Sequence, residues 1–292
     1  MEGNKMKFTK MHGLGNDYVY IDCFEHPEAI NQAEILSKYF SSPHIGIGSD
    51  GVIFILPPKD NYNDFQMRIF NSDGSEGKMC GNGIRCVGKY VYDKGLTNSK
   101  KLRIETLSGV KDLTLFTDKD NQVKSVEVNM GKPDIKGLTS LNILGRLIKG
   151  YSVSMGNPHF VVLPKQVQPS EVNDFGKAVE EDSYFAPERT NVEFIEPTKD
   201  KDTLRVRVWE RGSGRTMACG TGACASFAVS NHIKILPQKA NIVLDGGKLS
   251  ISYDKNGNIL MNGPATTVFS GEITDKQLRQ IIHTQQIVEK IR

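Results

Sequence analysis

The chain of 292 residues is long enough for two domains of ordinary size, and 38% hydrophobic against 24% charged residues describes a folded protein with a substantial core. A net charge of +3 with no basic stripe argues against nucleic-acid binding, and apolar runs no longer than one strand argue against a membrane span. Five cysteines, odd in number and irregularly spaced, imply no disulfide framework; with the polar opening Met1-Glu2-Gly3-Asn4-Lys5 they point to a reducing cytoplasm.

Most segments read as strand, because β-branched and aromatic residues dominate them. In the first half these are Lys7–Met11, Tyr18–Asp22, Gly51–Leu56, Phe65–Phe70, Leu102–Thr106, Val110–Phe116 and Val123–Asn129. The second half offers Tyr151–Met155, His159–Leu163, Asn191–Ile195, Leu204–Glu210, Asn241–Asp245, Lys248–Tyr253 and Ile259–Met261. Asp118–Asn121, Asp245–Gly247 and Lys255–Asn258 read as hairpin connections between antiparallel neighbours.

Helices are fewer. Pro27–Phe40 opens on a proline suited to the first turn and carries Ile30, Ala33 and Leu36 on one face; Ser170–Glu181 repeats this with Val172, Phe175 and Val179. The stretch after Cys80 sets Ile84, Val87 and Val91 on one face and Arg85, Lys89 and Asp93 on another. The stretch after Cys219 has no Asp, Glu, Lys or Arg from Thr216 to Ile233, so it reads as a buried helix wrapped by strands. The last helix, Asp275–Arg292, opens with a Thr274-x-x-Gln277 capping box. Its stripe is Leu278, Ile281, Ile282, Val288 and Ile291, and it can pack back on the first domain.

The chain repeats itself. Asn16 and Asn157, Pro27 and Pro169, Gly51 and Asn191, and Cys80 and Cys219 keep their order at offsets between 139 and 142 residues. We read an internal duplication with a unit of about one domain. Its most similar words are Met79-Cys-Gly-Asn-Gly83 and Ala218-Cys-Gly-Thr-Gly222. Each places a thiol where a glycine-rich loop enters a helix, and the helix dipole there favours thiolate. The glycines bring first-turn N–H groups, which lack helical partners, within reach of an anion such as a carboxylate. Two matched thiols suit the inversion of a stereocentre, one removing an α-proton and the other delivering a proton to the opposite face.

Met11-His-Gly-Leu-Gly-Asn-Asp17, Asn71-Ser-Asp-Gly-Ser75, Cys80-Gly-Asn-Gly83 and Met155-Gly-Asn-Pro-His159 resemble segments of diaminopimelate epimerases. So do Arg189-Thr-Asn-Val192, Glu210-Arg-Gly-Ser-Gly214, Ala218-Cys-Gly-Thr-Gly222 and Asn262-Gly-Pro-Ala265. The resemblance implies an α+β fold of two pseudo-symmetric domains, each a curled, mainly antiparallel sheet or barrel around a central helix, with the site in the cleft between them. Expected boundaries are residues 1–127 plus 266–292 for the first domain and 128–265 for the second.

It implies epimerisation of LL- to meso-diaminopimelate without a cofactor or a metal, on the route to lysine and cell-wall peptide. Cys80 and Cys219 are then the acid–base pair. Gly81, Asn82, Gly220 and Thr221 line a substrate carboxylate, and Asn16, Asn71, Asn157, Asn191, Glu210 and Arg211 hold the amino groups and the distal end. His159 and Glu210 tune the thiols. Two positions depart from the family pattern: Gly51 stands where many members have Gln, and Phe269 where a Tyr joins their homodimer contact.

The residues leave other readings open. Cys23, Cys86 and Cys224 sit in apolar patterns and read as packing. His12 reads equally as structure or as loop support. A proline racemase or hydroxyproline epimerase is the nearest alternative function. Cys–His acyl transfer or a redox dithiol are alternatives of another class, though acyl transfer leaves the second matched cysteine idle.

Overall fold

Strand-forming sequence dominates both repeats, and the computed structural model has eighteen strands and five α-helices among its described residues. It describes the backbone of residues 5–291, and the side chains over that span apart from Ile281 and 285–291. The chain divides into two compact units, one running up to Lys124 and resuming at Ala265, the other Ser125–Pro264.

In the first unit β1 (Lys5–Gly13), β2 (Asn16–Asp22), β3 (Gly51–Leu56), β4 (Phe65–Asn71), β5 (Glu76–Gly77), β6 (Lys101–Glu105) and β7 (Lys111–Thr117) are joined by β18 (Thr266–Thr274). β18 pairs antiparallel with β1, β1 with β2, β3 with β4, and β6 with β7; β2 runs parallel to β3 and β4 to β6. Helix α1 (Ala33–Ser41) and helix α2 (Gly81–Asp93) accompany this sheet. α1 buries Ala33, Leu36 and Phe40 against Val52 and Phe54 of β3. It is preceded by a 3-10 turn, Ala29–Gln32, so the helix expected from Pro27 begins later. Bonds from Ala29 N to His26 O and from Asn31 N to Glu28 O wind the entry more tightly than an α-helix.

α2 packs on β1, β2 and β7 with Ile84, Val87 and Val91 inside, as its period predicts. Arg85, expected on the polar face, is fully buried. Its guanidinium finds acceptors on the first turn of its own helix, Gly81 O and Asn82 Oδ1, each at 2.9 Å. Helix α5 (Asp275–Ile291) returns to this unit, with Leu278 and Ile282 in the cluster under α1. Its capping box forms as expected: Thr274 N donates to Gln277 Oε1 at 2.9 Å and Gln277 N to Thr274 Oγ1 at 3.2 Å. The expected stripe positions Ile281, Val288 and Ile291 lie outside the described side chains.

The second unit repeats the pairing. β8 (Val123–Gly131), β9 (Asp134–Ile143), β10 (Arg146–Ser154), β11 (Pro158–Val162) and β12 (Asn191–Pro197) lead into β13 (Thr203–Glu210). β14 (Gly214–Thr216), β15 (Lys239–Leu244), β16 (Gly247–Tyr253) and β17 (Ile259–Pro264) complete it. β9 pairs antiparallel with β10 as β18 does with β1, and β11 runs parallel to β12 as β2 does to β3. β13 parallel to β15 mirrors β4 parallel to β6. Asp245–Gly247 and Lys255–Asn258 are the turns of antiparallel pairs, as expected. Asp118–Asn121 is a turn but not a hairpin: the Asp118 carboxylate bonds the N–H groups of Asp120 and Gln122, after which β7 pairs onto β6 and β8 onto β17.

Helix α3 (Val172–Glu180), preceded by a 3-10 turn at Pro169–Glu171, buries Val172, Phe175 and Val179 on Phe160, Val192 and Phe194. Helix α4 (Gly220–His232) is buried along nearly its whole length and packs against β10 to β13 and β15 to β17, as its uncharged sequence predicts. Each unit therefore carries one helix inside its sheet, and each of those helices starts one residue after a cysteine.

Candidate active site: two cysteine-capped helices

Cys80 and Cys219 occupy the same local geometry. Both are in extended backbone conformation at the position preceding a helix, φ −137° and ψ 116° for Cys80, φ −114° and ψ 115° for Cys219. Each sulfur accepts the N–H of the glycine three residues on, Gly83 or Gly222, at 3.3 Å. A thiol here does what a Ser or Asp does at other helix starts. The glycines are needed because the strand beneath leaves no room: a Cβ on Gly83 would meet Ile53 Cδ1 at 2.5 Å, and one on Gly222 would meet Glu193 Oε1 at 2.5 Å.

Around Cys80 the amides are oriented by a chain of donors and acceptors. Arg85 can only donate, so Asn82 turns its oxygen to it and its Nδ2 to Asn16 Oδ1, 3.3 Å away. Asn16 donates its own Nδ2 to Asp50 Oδ2 at 2.7 Å, which leaves Oδ1 facing Asn82 and the Cys80 sulfur at 3.3 Å. Tyr18 lies beside this group; burial, then the neighbouring Cys80, hold its phenol well above the usual range. Asn71 sits at the end of β4 opposite Gly51, with its amide on Ser75 Oγ at 3.0 Å. No side chain fits at position 51, since a Cβ would stand 2.2 Å from Phe70 O and 3.0 Å from the Tyr18 ring. His12 supports the loop by accepting Gly15 N–H on Nδ1 at 3.2 Å.

Around Cys219 the surroundings are charged. Thr221 Oγ1 lies 3.4 Å from the sulfur and accepts from Asn157 Nδ2 at 3.4 Å. Asn157 Oδ1 meets His159 Nε2 at 3.1 Å, and His159 Nδ1 meets Glu193 Oε1 at 2.7 Å with both side chains fully buried. Both ring nitrogens thus face oxygens, which fixes the orientation of the ring. The other Glu193 oxygen has no hydrogen-bond partner among the described residues. Glu210, bonded by Thr216 Oγ1 at 2.5 Å, also reaches Cys219; burial raises its carboxyl above the ordinary range against those hydrogen bonds. Asn191 accepts Arg211 N–H at 2.9 Å and donates to Pro158 O at 3.1 Å, while the Arg211 side chain, exposed, reaches Glu188 O.

The helix-dipole expectation of a favoured thiolate does not hold at Cys219. Burial first, then the charges of Glu210 and Glu193, push this thiol well above its usual range. Thr221 and the Gly222 N–H act the other way and are outweighed. Burial also raises Cys23 to about 12 and Cys86 to about 11, in keeping with packing roles.

Of the residues expected from the sequence, the structure places Asn16, Gly81 and Asn82 beside Cys80 and Asn157, His159, Glu210, Gly220 and Thr221 in the cluster at Cys219, while Asn71 bonds Ser75 at the end of β4 and Asn191 bonds the backbone of Arg211. Sequence reasoning named these residues without dividing them between the two cysteines. It missed Tyr18, Arg85 and Glu193. For Glu193 the signal was present: an acid inside the apolar run Asn191-Val-Glu-Phe-Ile195, on a strand that pairs on both sides. Among the described residues no group of three His, Cys, Asp or Glu side chains is placed to hold a metal ion, and no helix is long and apolar enough to cross a membrane.

A fold of two strand-rich repeats, each around one helix, is shared with solved structures of racemases and epimerases. A hydroxyproline epimerase from Agrobacterium vitis matches at TM-score 0.68 with 15% identity, over 94% of each chain. A probable proline racemase from Agrobacterium radiobacter K84 matches at TM-score 0.70 with 16% identity, over 92% of this chain and 93% of that one. At such identities the likeness concerns the fold.

The family is set by sequence. Residues 8–136 and 151–268 match the family model described as diaminopimelate epimerase. The diaminopimelate epimerase of Acetivibrio thermocellus is 46% identical over 287 residues, covering 94% of this chain and all of that one. The chain belongs to the diaminopimelate epimerase family, and it is an isomerase.

Proposed function

We propose that the chain converts LL-diaminopimelate to meso-diaminopimelate, a step toward lysine and cell-wall peptide, with Cys80 and Cys219 as its acid and base. The observation that carries this reading is the pair of cysteine-capped helices in a chain 46% identical to a diaminopimelate epimerase. One sulfur, as thiolate, takes the α-hydrogen as a proton and leaves the electron pair on carbon. The other, as thiol, gives its proton to the opposite face and becomes the thiolate, so the chain ends with its two protonation states exchanged. Proton transfer by placed groups contributes ~10²–10⁴-fold, and first-turn N–H groups of Gly81, Asn82, Gly220 and Thr221 supply stabilisation for the substrate carboxylate and the charge beside it.

In this scheme Asn16, Asn71, Asn157 and Asn191 orient the amino groups, and Arg211 takes the remote carboxylate through charge-assisted hydrogen bonds. His159 and Glu210 set the proton affinity of Cys219. A proline- or hydroxyproline-type substrate has no second amino-acid end for Arg211, and the proteins of that kind share only the fold at 15–16% identity. Five free cysteines suit a reducing cytoplasm. Val268 and Phe269, exposed on β18, suit a homodimer contact, which sedimentation would detect.

The test is solvent deuterium incorporation into diaminopimelate, started separately from each isomer. In the two-thiol scheme the product isomer carries deuterium at the inverted carbon from the first turnover. Inversion with the original hydrogen retained in every product molecule would rule the scheme out, and exchange into proline but not diaminopimelate would favour the alternative substrate.

A further inference from the structure

Helix α3 contributes nothing to the two-thiol scheme, yet its last turn holds a carboxylate tied to the residues that do. Glu180 is 3% exposed and accepts from three donors on two segments. Oε2 takes the indole N–H of Trp209 at 2.6 Å. Oε1 takes the backbone N–H of Gly212 and the guanidinium of Arg189, each at 2.7 Å. Trp209 and Gly212 bracket Glu210 and Arg211. One helical turn before Glu180, Gly176 makes the approach possible: a Cβ there would stand 2.6 Å from Trp209 Cβ and Cγ.

The bracketed segment is the reversal between β13 and β14. Gly212 and Gly214 both have φ +77°, and Ser213 N donates to Glu210 O at 3.0 Å. Two successive amides of the turn are held from opposite partners, Arg211 N by Asn191 Oδ1 and Gly212 N by Glu180 Oε1. The Arg211 side chain is exposed and needs this backbone anchor to present its charge in one place. A buried carboxylate engaged by three donors cannot turn without leaving one of them unsatisfied.

We propose that Glu180 is a positioning residue that fixes the Arg211 turn and thereby sets affinity for the substrate's remote carboxylate. This rests on the role given to Arg211 above. In Glu180→Gln a single uncharged oxygen is left for three donors, so the amide nitrogen opposes one of them and the hold on the Gly212 N–H, one of the turn's two anchors, weakens.

Because the lost contact is the same in the ground and transition states, KM for diaminopimelate rises roughly 10-fold while kcat stays within about 2-fold. Trp209→Phe removes one donor and keeps the packing, so it raises KM by a smaller factor and decides the matter if Glu180→Gln does not fold. In an Arg211→Met background, Glu180→Gln adds less than about 2-fold, since the two act through one contact. A full effect of Glu180→Gln in that background, or a fall in kcat at unchanged KM, would overturn the role of Glu180. An unchanged KM in Arg211→Met alone would instead overturn the assignment of Arg211, and this inference with it.

Discussion

Replacing Glu193 by glutamine isolates one buried charge in the surroundings of Cys219. Its carboxylate is fully buried, 2.7 Å from His159 Nδ1, and is among the groups that raise the Cys219 thiol, after burial and Glu210. A Cβ on Gly222 would lie 2.5 Å from Glu193 Oε1, and Gly222 N lies 3.3 Å from the sulfur. Through the Gly222 N–Cβ link, carboxylate and sulfur are therefore at most about 8 Å apart, which at an effective dielectric of ~20 is about 2 kcal/mol or more of repulsion against a thiolate.

Glu193→Gln removes that repulsion, so Cys219 should react with iodoacetamide at pH 8 at least ~10-fold faster, followed by mass spectrometry of the Cys219 peptide. The same change takes the charged partner from His159. Glutamine keeps one hydrogen bond, so the cost should be about 2–3 kcal/mol, a drop of roughly 3–5 °C in the thermal midpoint. Unchanged or slower labelling in a folded variant would refute the reasoning, because burial alone would then govern Cys219.

Cys80→Ser and Cys219→Ser should each lower kcat/KM by about 10³-fold or more in both directions, and a near-wild-type single variant would end the two-thiol scheme. Gly222→Ala drives a methyl into the Glu193 carboxylate and should cost about 1–3 kcal/mol in a urea melt. Gly83→Ala meets only the tip of the flexible Ile53 side chain and should cost less; equal losses would contradict the packing described. The folded protein holds the Cys86 proton more tightly than the unfolded chain does, with a folded pKa of about 11 caused first by burial. Its contribution to stability is complete below about pH 8.5 and is lost as pH rises toward 11, roughly 2–3 kcal/mol in all. Cys86→Ala should flatten that alkaline decline between pH 8.5 and 10.5, and an unaltered slope would count against it.

The repeat, both helix-capping cysteines and the buried character of α4 were legible because each leaves a mark in one dimension: matched spacing, a glycine signature, or a long uncharged run. β9 and β18 were not. β18 is mostly exposed, so it writes no alternation into its sequence, and β9 alternates in burial but turns Leu138 outward and Gly137 and Thr139 inward, so its residue types do not follow its faces. Arg85 was misplaced because helical period assigns a charged residue to solvent, and nothing in the period shows that the helix's own first turn supplies its acceptors. Glu193 and Glu180 went unassigned for a similar reason: their partners, His159 and Trp209, are 34 and 29 residues away. The dipole argument for Cys219 failed on magnitude, since a helix end is worth ~0.3–1 kcal/mol at an exposed site, and burial of the thiol, followed by the charges of Glu210 and Glu193, outweighs it.

The two halves share one backbone plan but not one chemistry. Where the first has Tyr18, Ile53 and Arg85, the second has His159, Glu193 and Cys224 at the corresponding places in the repeat. Neither half can therefore stand in for the other. A chimera built from two copies of the first would keep every strand pairing and both sulfurs, yet the imidazole and its acid would be gone.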